Sequence, residues 1–417
     1  MSAGWFEICI RSLVSEREMF YHYQWRLSES ETTHMTGIIS RRKLLLGGAA
    51  FLGAGLGGNV LRGIPATPFT PSLSFLNSAL ADIPRPDAMI RASSNENPYG
   101  PSPVARQAIA DAMVDGNKYL NHASDLVAHL SELEDIPQDS IAVGSGSGEI
   151  LAVGGLMASL TPGSVVCPDP TFGGLISYAD DFGTELIRVP VNANMETDLG
   201  AMYNAIRPDT SLVYLCNPNN PIPNLIEKNA LRDFVLEVSR DRMVFVDEAY
   251  HEFVDDPAYE SMLGLIRDGH KNIIVSRTAS KIHGLAALRV GFAYAHPDHI
   301  ADMQKKMTGQ LNIAGARGAL ASYRDLDFQR YTLSQNRKAL DIVEGMCDEL
   351  GLRYVKSNAN FSFIHTGRDI NEVSAAMREA GILIGRPFPP MLDWARVSMA
   401  RPEEMEYFVQ VYKTLYG

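Results

Sequence analysis

Short apolar runs rich in β-branched residues alternate with amphipathic stretches between residues 140 and 295. Seven of these runs are predicted to be strands: Ser140–Val143, Ser164–Cys167, Glu185–Val189, Ser211–Cys216, Arg242–Val246, Asn272–Val275 and Val290–Tyr294. Most of the stretches between them have the apolar spacing of helices. Strands that alternate with helices are typical of a mostly parallel sheet covered on both faces, so the sequence predicts an α/β fold.

The hydrophobic pattern changes on both sides of this region. An irregular arm rich in Pro and Asn, Ser93–Pro103, leads into a predicted helix at Val104–Met113, and helical spacing dominates from Pro297 to Leu350. The last stretch mixes predicted strands and helices: Phe361–His365, Ile370–Glu379, Ile382–Ile384, Arg396–Met399 and Pro402–Tyr416. We therefore predict an N-terminal extension (1–81), an arm (82–104), a large domain (105–300) and a smaller α+β domain (301–417).

The composition is that of a folded protein with an acidic body. The chain has 417 residues, of which 46% are hydrophobic and 21% are charged, and its formal net charge is −12. Residues 1–81 contain seven basic and five acidic residues, so residues 82–417 contain 30 basic and 44 acidic ones. Because an acidic surface repels a phosphate backbone, nucleic acid is not an expected partner.

The N-terminal extension has the pattern of a twin-arginine export signal. Ser40–Lys43, with Arg41 and Arg42, precedes the apolar run Leu44–Gly58, and Ala79–Ala81 has the small residues of a cleavage site. The apolar run is 15 residues long, short of the roughly 20 that span a bilayer. We therefore expect a cleaved signal and a periplasmic protein that folds in the cytoplasm, with a retained membrane anchor as the alternative. No acidic residue occurs from Met35 to Ala81, which makes Met35 a candidate start of translation.

The cysteines do not have the spacing of a disulfide framework or of a metal site. Beyond the extension only Cys167, Cys216 and Cys347 remain, and their wide, odd-numbered spacing fits neither disulfides nor a metal site. We predict three buried thiols and no metal.

A lysine followed closely by an arginine is the first candidate for chemistry. Lys281 lies eight residues before Arg289, and hydroxyls precede it at Thr278 and Ser280. This is the arrangement of an imine-forming lysine beside an anion cradle, and it suggests pyridoxal phosphate. A lone lysine is more often a solvated surface charge, so the interpretation depends on the rest of the chain.

Polar groups suited to the same cofactor follow other predicted strands, where ligands bind in open α/β sheets. The glycine-rich turn with Gly146, Ser147 and Gly148 opens a helix and presents free amides to a phosphate. Asp247 ends a buried strand, where it could pair with a pyridinium nitrogen or simply cap the next turn. Further candidates are Tyr250 and Asn220 for the ring hydroxyl and Phe172 for stacking on the ring, although Phe172 could equally belong to the core.

Together these motifs resemble the class I/II aminotransferases of fold type I, and among them the histidinol-phosphate aminotransferase branch. The resemblance covers nearly all of Ser93–Met405. It is carried by the segments NENPYGPSP (95–103), NKYL (117–120), CNPNNP (216–221), DEAY (247–250), RTASKIHGLAALRVG (277–291) and WARVS (394–398).

The resemblance implies roles that the residues alone do not. Asn97 and Tyr99 lie in a segment on the substrate side, and Tyr119 reaches the phosphate in the neighbouring subunit, which implies a homodimer with shared sites. Asn360 and Arg396 hold the substrate's α-carboxylate. Arg386 also matches a substrate residue, one position later than in the branch.

Other departures from the branch concern neighbouring positions. Ile222–Pro223 replaces Thr-Gly, Leu120 replaces a proline, and His283 replaces an aromatic residue. Ser147–Gly148 replaces a Ser-Asp pair, so we expect backbone amides to carry the phosphate. We expect His283 to lie behind the site or on the surface and not to act as a base, because Lys281 is already adjacent to the substrate carbon.

The sequence thus predicts an aminotransferase in which Lys281 binds the cofactor as an aldimine and the amino group of an L-amino acid passes to a 2-oxo acid. The alternatives are a lyase, decarboxylase or oxidase outcome with the same cofactor, and a non-catalytic periplasmic binding protein. An exported enzyme would be separated from a phosphorylated intracellular intermediate, so we expect an aromatic or otherwise bulky amino donor instead of histidinol phosphate.

Overall fold

The computed structural model describes residue 83, residues 86–120 and residues 123–417. The predicted export signal, its cleavage site and the alternative start at Met35 lie outside the described residues and stay predictions. Within the described residues, no helix has both the length and the apolar character needed to cross a bilayer.

A seven-stranded sheet forms the centre of the fold. Its strands are β2 (Ile141–Ser145), β3 (Ser164–Asp169), β4 (Glu185–Pro190), β5 (Thr210–Cys216), β6 (Met243–Asp247), β7 (Ile273–Thr278) and β8 (Val290–Ala295). The order across the sheet is β2-β8-β7-β6-β5-β3-β4. Only β8 runs antiparallel to its neighbours, and all other pairs are parallel. The predicted mostly parallel α/β sheet is confirmed, with each strand end within two residues of its predicted position, apart from the end of β7, which lies three residues later.

Both faces of this sheet are buried, which explains the continuously apolar strands. On β5, Val213 and Leu215 belong to one hydrophobic cluster, whereas Leu212 and Tyr214 belong to another. Alternate residues of a strand point to opposite faces, so the two clusters lie on the two sides of the sheet. The helices that accompany the sheet are α1 (Pro103–Ala112), which follows the arm, α2 (Ser124–Glu134), α3 (Ser147–Leu160), α4 (Ile176–Asp181), α5 (Leu199–Ala205), α6 (Lys228–Val238), α7 (Leu263–Arg267), α8 (Pro297–Gln304) and α9 (Ile313–Arg324).

The C-terminal part has its own core and its own small sheets. Strands β9 (Tyr354–Val355), β10 (Phe361–His365) and β12 (Trp394–Ser398) form an antiparallel sheet, and β1 (Ile90–Ala92) pairs in parallel with β11 (Ile382–Ile384). Helices α10 (Leu326–Leu350), α11 (Ile370–Glu379) and α12 (Pro402–Tyr416) complete this part. β1 and β9 were not predicted, because neither is a continuous apolar run bounded by turn residues. The equally short β11 was predicted, since its apolar run lies between Gly381 and Gly385.

The strand directions gather the candidate residues at one edge. The parallel strands β2, β3, β5, β6 and β7 all end there, and loops following them carry the glycine-rich turn, Phe172, Asn220, Tyr250 and Lys281. Because β8 is antiparallel, its first residue lies at the same edge, which places Arg289 beside them. The three cysteines are free and buried, as predicted.

Candidate active site

A cavity of about 350 Å³ lies at this edge of the sheet. Most of the predicted site residues line it: Ser147, Gly148, Phe172, Asn220, Asp247, Tyr250, Ser280, Lys281, Arg289, Arg386 and Arg396. Polar and charged groups from the large sheet and from β12 thus converge on one space, which is the usual form of a small-molecule site.

Asp247 lies at the floor of the cavity with its carboxylate held by two hydroxyls. Ser276 Oγ donates to Oδ1 at 2.9 Å, and Tyr214 OH donates to Oδ2 at 3.5 Å. Ser276 is the register partner of Asp247 on β7, so the sheet itself sets this contact. Burial raises the pKa of Asp247 from 3.8 to about 6, against the opposing hydrogen bond from Ser276. Burial makes the negative charge of this carboxylate unfavourable, so a positively charged group bound beside it would be stabilising.

Lys281 projects its amine into the same cavity. Its Nζ donates to the carbonyl oxygen of Asn95 at 3.3 Å and lies 5.5 Å from the centre of the Tyr250 ring. Burial lowers the pKa of Lys281 from 10.5 to about 8, and Arg396 lowers it further, while Asp247 opposes the shift. A lysine with this pKa is partly neutral near pH 8, so it can act as a nucleophile and as a base.

Tyr250 and Arg396 are linked through a pair of asparagines. Asn95 Nδ2 and Asn220 Nδ2 donate to the Tyr250 hydroxyl at 2.9 and 3.1 Å. Arg396 Nη1 donates to Asn220 Oδ1 at 2.8 Å, and its Nη2 donates to the Ser93 carbonyl oxygen at 2.6 Å. Burial lowers the pKa of Arg396 to about 10. Its Nε is buried and has no hydrogen-bond partner among the described residues, so this guanidinium can still bind an anion in the cavity.

The anion cradle depends on two glycines. Gly146 has φ +85° and precedes α3, whose first turn receives no side-chain cap. A Cβ on Gly146 would lie 2.1 Å from Arg289 Nη2, and one on Gly291 would lie 2.0 Å from Ser147 N. The guanidinium therefore packs directly on the turn, beside the free amides of a helix N-terminus. This donor set fits the phosphate of pyridoxal phosphate.

The remaining predicted cofactor residues have different positions. Ser280 lines the cavity, whereas the Thr278 hydroxyl is buried and bonds to Ser280 Oγ at 2.9 Å. Thr278 therefore orients Ser280 instead of facing the cavity. Phe172 is 40% exposed in this single chain and lines the cavity, a position from which its ring could stack on a flat ligand.

Four other predicted residues do not line this cavity. Tyr119 is 85% exposed on the surface, a position that contact with a neighbouring subunit requires. Asn97 donates to the Ile282 carbonyl oxygen at 2.7 Å and accepts from Tyr99 N, so its amide braces the turn after Lys281. Tyr99 packs edge-on against Tyr331 at 5.1 Å. Asn360 donates to the Glu96 carbonyl oxygen at 3.3 Å. Asn97, Tyr99 and Asn360 line a separate, smaller cavity, and their contact with substrate stays a prediction.

Sequence reasoning missed Asn95, which is 1% exposed and adopts φ +53°. Besides its bond to Tyr250, its Oδ1 accepts from Ser398 Oγ at 2.6 Å. It thereby connects the arm, β12 and the large sheet. Its place at the start of the segment NENPYG could have drawn attention to it. Its left-handed backbone conformation, however, depends on tertiary contacts that the sequence does not show. The roles of Ser276 and Tyr214 depend on strand register and were missed for the same reason.

Comparisons with known proteins agree with this geometry. The family model for aminotransferase class I and II matches residues 87–411. A histidinol-phosphate aminotransferase from Limosilactobacillus fermentum is 36% identical over 322 residues, which cover 76% of this chain and 88% of that protein. An aromatic amino acid aminotransferase from Thermobifida fusca is 34% identical over 356 residues, which cover 82% and 97%. A crystal structure from Erwinia carotovora atroseptica, provisionally described as a histidinol-phosphate aminotransferase, has a TM-score of 0.77 at 33% identity and covers 79% of this chain and 97% of that chain.

Proposed function

This chain belongs to the class I and II aminotransferases, and we propose that it moves the amino group of an aromatic or similarly bulky L-amino acid to a 2-oxo acid. It is a pyridoxal phosphate-dependent enzyme of fold type I. Family membership favours transamination over the lyase, decarboxylase and oxidase outcomes, and it gives no support to a binding protein without catalysis.

The cofactor supplies an electron-accepting ring that stores the electron pair left on the substrate's α-carbon. We assign the other tasks to this chain's side chains. Asp247 would hold the ring nitrogen protonated, and Asn220 and Tyr250 would hold the ring hydroxyl oxygen. Lys281 Nζ would bind the cofactor's aldehyde carbon until the substrate's amino group displaces it, and the freed amine would then move the proton from the α-carbon to that aldehyde carbon. Arg396 would fix the α-carboxylate and thereby the direction of the α-hydrogen.

The observation that carries the substrate proposal is the environment of the two arginines. Phe388 lies between them, with its ring centre 4.3 Å from Arg386 Cζ and 5.0 Å from Arg396 Cζ. Burial lowers the pKa of Arg386, and its one hydrogen bond given by the structure goes to the Pro387 carbonyl oxygen. A cavity with Phe172 and Phe388 offers flat apolar surfaces for a large side chain. Arg386 would in turn receive the second carboxylate of a dicarboxylic 2-oxo acid.

A screen of amino donors tests this substrate assignment. Purified enzyme is supplied with 2-oxoglutarate or pyruvate and with each L-amino acid in turn, and with L-histidinol phosphate as the comparison donor. We expect the highest kcat/KM with aromatic donors and with 2-oxoglutarate, by about tenfold or more over alanine and pyruvate. Histidinol phosphate as the best donor, or a preference for small aliphatic donors, would reject the assignment while leaving the enzyme class intact.

The phosphate cradle makes a second prediction, Gly291→Ala. A methyl group here would meet the Ser147 amide at 2.0 Å and push the turn away from Arg289. Overpacking of this kind costs about 1–3 kcal/mol, so we expect the Kd for pyridoxal phosphate to rise by about 10- to 100-fold. Gly345→Ala is the matched control, because a Cβ at that position on α10 meets nothing within 4 Å. Equal cofactor affinity for both variants, measured by equilibrium dialysis, would contradict the assignment of the cradle.

We also propose an exported homodimer. The dimer proposal is supported by the exposed Tyr119 and by the exposed apolar residues Val104, Met113 and Val114 near it in the chain. Sedimentation of the holoenzyme tests it, and an active monomer would contradict it.

The export proposal is supported only by the sequence of residues 35–81. Replacement of Arg41 and Arg42 by lysine should keep the protein out of the periplasmic fraction.

A further inference from the structure

A closed group of three titratable side chains, His251, Glu252 and His283, lies outside the cavity. Glu252 Oε1 is 3.2 Å from His251 Nε2 and 3.4 Å from His283 Nε2. His283 is 1% exposed, and the side chains of Glu252 and His251 are 12% and 17% exposed. Of the two placements expected for His283, behind the site or on the surface, the structure shows the buried one.

These three residues lie next to two of the candidate catalytic residues in the chain. Glu252 lies in the short helical turn His251–Phe253, directly after Tyr250, and His283 follows Lys281 by two residues. The contact between Glu252 and His283 therefore joins the turn that carries Lys281 to the turn that carries Tyr250. Both of those side chains line the cavity.

A third element holds the imidazole from its other side. His283 Nδ1 is 2.9 Å from Ser322 Oγ on α9, and the ring stacks on Tyr323 with centroids 4.0 Å apart. Tyr323 in turn meets Phe292 of β8 edge-on at 5.6 Å. The charged or titratable groups that face His283 from these elements are Glu252, His251 and Tyr323, with Tyr294 beyond Tyr323.

The charge on Glu252 requires the histidines. Burial alone would raise the pKa of this carboxyl, but His251 and His283 bring it well below its usual value. Both contacts are close enough for electrostatic attraction but lack the geometry of a hydrogen bond, and in the part of the chain that the structure describes neither carboxylate oxygen has a hydrogen-bond partner. A buried carboxylate of this kind is strongly destabilised when it loses the polar groups beside it.

We propose that His283 is a positioning residue for transamination: through Glu252 it clamps the Lys281 turn to the Tyr250 turn and so fixes the lysine amine relative to the reacting carbon. The requirement for this clamp is geometric, because an amine that moves protons loses efficiency when it is displaced by about 1 Å. The proposal rests on the role assigned to Lys281 above. It adds a buried contact between Glu252 and His283 that acts on this lysine from outside the cavity.

The test uses His283→Phe, which keeps a ring to stack on Tyr323 but loses the contact with Glu252, and Glu252→Gln, which keeps the shape and loses the charge. For each holoenzyme we expect kcat to fall about tenfold with KM changed less than twofold, as for a misplaced catalytic group. We also expect the pH titration of the cofactor's absorbance to shift by about one unit. The double variant should lose no more than either single variant, because both changes break the same contact.

A control at a distant histidine separates this role from stability. His365→Phe removes a comparable pair, in which Nε2 contacts Asp393 Oδ2 at 2.9 Å beside Trp394, and should change neither readout. Wild-type kcat and titration in His283→Phe and Glu252→Gln, or a lowered melting temperature with unchanged kcat, would overturn the proposal. Borohydride reduction of the wild-type holoenzyme is done first, since its failure to label Lys281 would reject the assigned lysine instead of the clamp.

Discussion

Replacement of Lys281 by alanine should abolish turnover while leaving a folded protein. The amine is the only lysine nitrogen lining the cavity formed by the described residues, and its lowered pKa suits both of its assigned tasks. Loss of a general acid–base group costs up to about 10⁴-fold in rate, and loss of the covalent attachment adds to this. We therefore expect kcat to fall by about 10⁴-fold or more in a coupled assay with the preferred donor.

A surface lysine provides the control for this variant. Lys118 is exposed and pairs with Asp115 three residues away, so Lys118→Ala should keep wild-type kcat. Addition of a small primary amine such as methylamine should restore part of the activity of the Lys281→Ala protein, because a free amine can replace the missing base. Turnover within tenfold of wild type in Lys281→Ala, without added amine, would mean that another group moves the proton.

The Asp247→Asn variant should have the second largest effect. Asparagine accepts the hydrogen bond from Ser276 but carries no charge, so a protonated ring nitrogen would lose its countercharge. Removal of one preorganised electrostatic partner costs about 10²- to 10³-fold, and we expect a fall in kcat of that size with a smaller change in KM. The exposed pair Asp341 and Arg337 offers a control, since Asp341→Asn should leave kcat unchanged. A loss of less than about threefold would contradict the role of Asp247.

The same variant should be more stable than wild type when the cofactor is absent. The pKa of Asp247 is about 6 in the folded chain and 3.8 in an exposed carboxyl, so the folded chain binds protons more tightly. Its contribution to stability is therefore present below pH 4 and is lost as the pH rises through about 6. The difference of about two units corresponds to roughly 3 kcal/mol at neutral pH. Urea unfolding of the two cofactor-free proteins should show this gain at pH 7.5 and little of it at pH 4.

Much of the large sheet could be predicted from sequence, because its strands are buried on both faces. Runs such as Ser211–Cys216 are apolar throughout and end at polar turns, so their length and type are visible without knowing their neighbours. The helices α11 and α12 were predicted with their observed ends, since each begins next to a capping or proline signal. β1 was missed because a charged residue, Arg91, interrupts its apolar pattern and because its partner β11 is nearly 300 residues away.

The site residues that could be predicted from sequence are those at the ends of predicted strands. Asp247, Asn220 and Lys281 follow the carboxyl ends of parallel strands, and a polar residue at such a position is visible in the sequence. The contacts that tune them come from elsewhere: Asn95 reaches Tyr250 over 155 positions, and Glu252 reaches His283 over 31. Such pairs are set by tertiary packing. The substrate roles of Asn97 and Asn360 stay predictions, because a motif position alone does not tell which way an amide points.

The most direct test of the central claim is to locate the covalent bond. The holoenzyme is reduced with borohydride, digested and examined by mass spectrometry, with Asp247→Asn treated in parallel. The account predicts a phosphopyridoxyl group on Lys281 alone in both proteins, together with loss of turnover. A label on another lysine, or a reduced protein that carries no label and stays active, would contradict it.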